Sequence, residues 1–387
     1  MAKKILNLVK SAIPGSNNVI KTKMPDTPAV NNSLFLGAAV KSISKSLDGL
    51  KGTEQDMLQA AQCGKVDILE KCLKLGADPS INHNLAIRLA ASLGQEEIVR
   101  RLLQDNRVDP SDVFNDALIT TAGKGLKNIV QILLNDARVD PTALGGRALE
   151  RACCYGYLNI VNLLLNDKRV DPSARRNRAL QMASANGHDA IVIRLLQDSR
   201  VDPSSDESNA LRVAAENGHA SVIKTLLKDQ RVDIAAGKNA AFRFFCLVGD
   251  IEMVQELLQN DRVDPAVLKN QALRNAVEKG HVEVVKTLLK IPSVDPNWKD
   301  GAAYRTACGK GHLDVVKVLV EDGRVIKKYN YFGFKQAVIE GKTEVVRYLL
   351  DNPKTRSKLS KADFFTGDYS KDSEIIGLIS EAKLKGN

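Results

Sequence analysis

A chain of 387 residues, 44% hydrophobic and 26% charged, exceeds the roughly 250–300 residues that one hydrophobic core supports. It therefore reads as several domains or as an array of repeated units with no central core, and an aromatic content of only 4% leaves small aliphatic side chains to pack closely stacked helices. The net charge of +10 is uneven: residues 1–52 hold eight Lys against two Asp, residues 53–352 hold 41 basic against 39 acidic residues, and residues 353–387 hold seven against five. A nearly neutral bulk speaks against a nucleic-acid footprint, which concentrates positive charge on the folded part.

Residues 1–52 form a basic N-terminal segment. Pro14, Pro25 and Pro28, set among Asn, Ser and Lys, predict disorder over 14–33. Residues 2–13 fit a short basic amphipathic helix, a weak candidate for contact with a membrane surface. Residues 33–50 fit a second helix that covers the first repeat. Asn7 and Lys10 interrupt the apolar stretch from Ile5 to Val9, so no signal peptide is expected. No apolar run approaches 18 residues, so no transmembrane segment is expected. The six cysteines show no CxxC pair, and the chain reads as a cytoplasmic protein of a reducing compartment.

From residue 53 to 352 the chain repeats itself. Arg-Val-Asp-Pro begins at Arg107, Arg138, Arg169, Arg200 and Arg262, and its Asp recurs every 31 residues from Asp78 to Asp295. A Gly recurs with it ten times, from Gly64 to Gly341. A period of this length marks a solenoid or related array. Before each Gly lies a short segment with apolar residues at helical spacing, such as Ala179 to Ser184. After it comes a stripe such as Val284, Val285, Leu288 and Leu289, which buries one face of a second helix. The Gly supplies a tight turn between the two helices, and Asp-Pro ends the unit. The prediction is an all-α solenoid of about ten helix-turn-helix repeats.

These units resemble the ankyrin repeat. Gly187-His188, the Ile-Val and Leu-Leu pairs that follow, and Asp202 carry the likeness, and Gly76-Ala77-Asp78-Pro79 is closest. The Thr-Pro-Leu-His string of that family is degenerate here, as in Arg178-Ala179-Leu180-Gln181 and Asn209-Ala210-Leu211-Arg212. The family period is about 33 residues, so the hairpin finger of standard ankyrins is expected to shrink to a short loop. Units of the Arg-Val-Asp-Pro type are similar to those of amoebae, large DNA viruses and bacteria that infect amoebae. The resemblance implies a non-enzymatic protein-interaction module that binds a protein partner on its concave helix face and finger loops. An adaptor or scaffold is the leading reading. A secreted effector that captures a host protein, in the host cytoplasm, is the alternative, and an enzyme with a cryptic active site is a second one.

Within the array four histidines, His188, His219, His281 and His312, fall in one column directly after the turn Gly. Units of a solenoid stack about 10 Å apart, too far for these rings to share a metal ion. Cys153, Cys246 and Cys308 share a column of small buried residues. Gly341-Lys342-Thr343 imitates the end of a phosphate-binding loop, but Gln336 stands where that loop needs its first Gly. No cofactor or metal is expected. The informative column is basic: Arg212, Arg243, Arg274 and Arg305 lie 31 residues apart, and Lys335 follows in the shortened last unit. It reads either as inter-repeat structure or as a stripe that recognises an acidic protein surface. With Trp298, the only Trp, and Tyr304, these five residues are the candidate partner-binding set. Phe245 stands in the column that holds Ala at 90, 152, 183, 214, 276, 307 and 337, which predicts a change of curvature there.

Asn352-Pro353 breaks the last repeat. Residues 353–387 then hold an apolar set, Phe364, Phe365, Tyr369, Ile375, Ile376, Leu378 and Ile379, with a helix expected from about Lys371 to Leu384. A solenoid end needs such a cap.

Overall fold

The structure, a computed structural model, describes residues 52–359 and 372–384. The expectations for residues 1–50 lie outside the described residues, as do Phe364, Phe365 and Tyr369. The described residues are helical and hold no strand. They divide into two compact units: residues up to 152 with 159–170, and residues 153–158 with those from 171 onward.

The first unit is built from α1 (Gly52–Cys63), α2 (Val66–Lys74), α3 (Ile81–Ser92), α4 (Glu96–Leu103), α5 (Asp112–Lys124), α6 (Lys127–Leu134), α7 (Ala143–Tyr155, whose last residues belong to the second unit) and α8 (Leu158–Asn166). The second holds α9 (Ala174–Ala185), α10 (Asp189–Leu196), α11 (Ser205–Asn217), α12 (Ala220–Leu227), α13 (Ala236–Val248), α14 (Ile251–Leu257), α15 (Val267–Lys279), α16 (Val282–Leu289), α17 (Trp298–Lys310), α18 (Leu313–Asp322), α19 (Ile326–Ile339), α20 (Thr343–Asp351), α21 (Pro353–Arg356) and α22 (Ser373–Leu384). Odd and even helices from α1 to α20 pair as the expected helix-turn-helix units. Within each unit, first helices pack on first helices and second on second. The C-terminal helix runs from Ser373, close to its expected start, and buries Ile375 and Ile379 where α22 packs on α20.

One repeat explains Arg-Val-Asp-Pro. Arg138 grips Asp136 with Nε at 2.9 Å and Nη2 at 2.6 Å. The same guanidinium donates to the carbonyls of Val108 at 2.7 Å and Leu103 at 2.9 Å, in the preceding repeat. Val139 is buried at 1% exposure, and Pro141 is buried beside it. The backbone N–H of Asp140 donates to Asn115 Oδ1 at 2.8 Å, and its carboxylate accepts from the N–H and hydroxyl of Thr142 at 2.9 and 2.7 Å. So each residue of the motif binds a repeat to its predecessor or turns the chain. The planar fork of Arg suits this double grip on carboxylate and carbonyl. Hydrogen bonding to that guanidinium holds the Asp136 carboxyl below the usual carboxylate range, and Asp105, Asp167, Asp198 and Asp229 are held down in the same way.

The finger is short and holds no strand, as expected, and its conformation is left-handed. After the Asp turn, three residues adopt left-handed helical angles: φ is 52, 57 and 61° at Val113, Phe114 and Asn115, and 55, 58 and 58° at Arg175, Arg176 and Asn177. A backbone bond from the third N–H closes the turn, Asn115 to the Ser111 carbonyl at 2.7 Å. Non-glycine residues resist this conformation, at roughly 1–2 kcal/mol each. Asn tolerates it best, and Asn fills the third place at 84, 115, 177, 239 and 270. Its buried side chain fixes the turn to the next repeat: Asn84, Asn177 and Asn270 accept the N–H of Asp109, Asp202 and Asp295 at 2.7, 3.0 and 3.0 Å.

Phe245 is accommodated in the core of its repeat. Its ring is fully buried edge-on to Phe244 at 5.3 Å. Helix α13 keeps the 13 residues of α11 and α15, and the left-handed triplet recurs at 237–239.

Candidate functional site

The first helices of the second unit carry the basic column one turn beyond the left-handed fingers. That placement gives the column a local task. A left-handed turn directs its carbonyls away from the helix that follows, and those acceptors need donors. The column supplies them. Arg243 donates from Nε to the Lys238 carbonyl at 3.0 Å and from Nη2 to that of Gly237 at 3.0 Å. Arg305 reaches the Lys299 carbonyl at 3.2 Å, and Arg274 the Leu268 carbonyl at 3.5 Å. Where the column holds Gln181, its amide does the same to Arg176 at 2.8 Å.

The members differ in how their charge is balanced. Arg212 is held by Glu216 at 2.8 Å and also bonds Asn209 Oδ1. Arg243 binds Gln271 Oε1 at 3.1 Å in the next repeat, and burial pulls its guanidinium down from its ordinary value. Arg274 lies over the Trp298 ring at 4.7 Å, a cation–π contact between successive repeats. Among the described residues, neither Arg274 nor Arg305 has a carboxylate within ion-pair distance, and the Nε of each is buried without an acceptor. Lys335 is half-buried on α19.

Trp298 opens α17 and is half-buried. It lines a shallow depression of about 180 Å³ with Arg274, Glu278, Lys299, Ala302 and Thr306. Lys299 also approaches its ring, at 5.9 Å. The depression therefore brings together two of the expected binding residues, Arg274 and Trp298, from adjacent repeats.

Tyr304 does not join them. It is fully buried, its hydroxyl donates to Asn330 Oδ1 at 3.1 Å, and burial pushes the phenol well above its ordinary range. It occupies the column of Leu180, Leu211 and Leu273, which fills the core between helices. The absence of a side chain at Gly333 makes room for the ring: a Cβ there would lie 2.2 Å from Tyr304 Cε1. Tyr304 is thus a core residue and cannot contact a partner. Its 31-residue offset from Leu273 already carried that signal.

The other columns are structural. His188, His219, His281 and His312 each place Nε2 within 2.9–3.0 Å of a carbonyl in the preceding repeat. Cys246 and Cys308 are buried, which raises both thiols above their ordinary range. Among the described residues no group of three His, Cys, Asp or Glu could hold a metal ion, and no helix is long and apolar enough to cross a membrane. The fingers expose Arg175, Arg176, Asp206, Glu207, Lys299 and Asp300. Sequence reasoning passed over the Asn column and the apolar tips Phe114 and Leu144, which are 69% and 54% exposed.

Residues 87–176 and 149–237 match the family model of ankyrin repeats, described as three copies. No curated protein matches the chain.

Proposed function

We propose that this chain, whose residues 87–237 match the family model of ankyrin repeats, is a protein-interaction module that works as an adaptor or scaffold, its partner docking on the first-helix face of the second unit. The supporting observation is the contrast within the basic column. The arginines of Arg-Val-Asp-Pro are neutralised, Arg107, Arg138, Arg169 and Arg200 by an Asp two residues earlier and Arg262 by Asp233 at 2.8 Å, and Arg212 sits on Glu216. Arg274 and Arg305 have no carboxylate at ion-pair distance among the described residues, and Arg274 stacks on the one Trp of the chain. Stacked aromatic and arginine side chains are typical interface anchors. Arg243 serves more to hold its finger than to meet a partner.

The experiment is a quantitative capture from eukaryotic lysate. The full chain is compared with Arg274→Glu/Arg305→Glu. A partner retained by the parent and lost by the variant, with melting temperatures within about 2 °C of each other, supports the reading. Identical partners for both return the column to a purely structural role. The partner's source distinguishes a resident scaffold from an effector acting on a host protein.

A further inference from the structure

The charge of the last three complete repeats is sorted by face. The first helices α15, α17 and α19 carry nine Lys or Arg against two Asp or Glu. The second helices α16, α18 and α20 carry three against six. Second helices also settle their charges among themselves, Lys286 with Glu283 at 2.8 Å and Lys317 with Asp314 at 3.0 Å. On the first-helix side the acids are few and partly engaged, Glu278 lying 3.7 Å from Lys310. A positive potential is therefore left on one side only.

Its anchors are ordered. Arg274 and Arg305 are one repeat apart on adjacent packed helices, a separation of about 8–10 Å. An extended chain advances about 3.3 Å per residue, so carboxylates three residues apart match that step. The depression floored by Trp298 adjoins Arg274 and is lined by residues of α17, the helix that carries Arg305. The Arg274 guanidinium lies over the indole and spends Nη2 on the Leu268 carbonyl, which leaves Nη1 for a carboxylate. Building on the docking face proposed above, we infer that the partner presents an extended acidic segment with carboxylates at every third residue, one on Arg274 and the next on Arg305, and one of the two residues between them over Trp298.

The only Trp of the chain reports directly on this depression. Two peptides of nine residues serve as probes, identical in composition: one with Glu at every third position between Ser and Thr spacers, the other with its Glu contiguous. A single-stranded thymidine oligonucleotide of similar charge is the third probe. Binding of each to the full chain is followed by Trp298 emission and by anisotropy at about 0.15 M salt. The spaced peptide is expected to bind about tenfold tighter than the contiguous one and to shift Trp298 emission. Arg274→Glu/Arg305→Glu should abolish this. Lys299→Glu, an exposed change at the rim of the depression, should weaken it without touching the finger carbonyls. Equal affinity for both peptides overturns the register while leaving the docking face standing. Silence toward both peptides, beside capture of a partner that the double variant loses, overturns the acidic segment alone. Tighter binding of the oligonucleotide overturns the inference in favour of a nucleic-acid site.

Discussion

Asn177→Ala tests the physics of the finger most directly. Asn177 is 5% exposed, holds φ 58° and ψ 40°, and accepts the Asp202 N–H at 3.0 Å. Alanine removes the acceptor and strands that N–H, at a cost of about 1–3 kcal/mol. It also places a β-carbon in the left-handed region, for roughly 1 kcal/mol more. The expected total is about 2–4 kcal/mol. Asn177→Gly loses the same hydrogen bond but adopts the backbone freely, and its greater freedom when unfolded returns about 0.5–1 kcal/mol of the difference. Glycine should therefore be the milder change by up to about 1 kcal/mol, in keeping with Gly146 and Gly301 in this column. Repeat arrays can open in parts, so urea melts of the full chain followed by circular dichroism should be joined by native-state exchange at the Asp202 amide. That amide should exchange about 10–100-fold faster in the Ala variant. An Ala variant within about 0.5 kcal/mol of the parent would refute the hydrogen-bond argument. A Gly variant at least as destabilised as Ala would refute the conformational one.

Gly333→Ala should destabilise by about 1–2 kcal/mol despite better helix propensity, because its methyl meets Tyr304 and Cys308; pairing it with Tyr304→Leu should recover most of the loss in thermal melts. His219→Ala should cost about 1 kcal/mol through its bond to the Ala185 carbonyl, and Zn²⁺ should raise the melting temperature of neither protein. Arg138→Lys should lose more than a surface charge swap, because Lys cannot span Asp136 and two carbonyls at once; a melt indistinguishable from the parent counts against the staple. Acid should weaken the array in a defined window. The carboxyls of Asp105, Asp136, Asp167, Asp198 and Asp229 titrate lower folded than unfolded. Their stabilisation is complete at neutral pH and is lost as pH falls below about 4. Melting temperature measured from pH 6 to 3 should drop there, and replacing Asp136 and Asp167 with Asn should blunt the drop.

The period, the helix pairing and the small-residue columns were legible in the sequence, because each is written locally. Gly218 at φ 83° closes a helix whatever surrounds it, and a stripe at helical spacing buries itself against any neighbour. The bland reading of His188 and Cys246 also followed from register alone. What escaped depends on residues that meet only after folding. Tyr304 was expected to meet a partner although its register with Leu273 marks a core column, and only the fold shows the room that Gly333 leaves for its ring and the Asn330 acceptor for its hydroxyl. The finger was expected to be short, but its hand was not legible, since nothing local marks Val113 and Phe114 as left-handed; Asn115 is held by Asp140 of the next repeat. The five basic residues of the column looked alike in sequence. Tertiary packing made them different, because what each arginine meets is decided by what the adjacent helix places beside it: the uncharged amide of Gln271 for Arg243 and the face of Trp298 for Arg274.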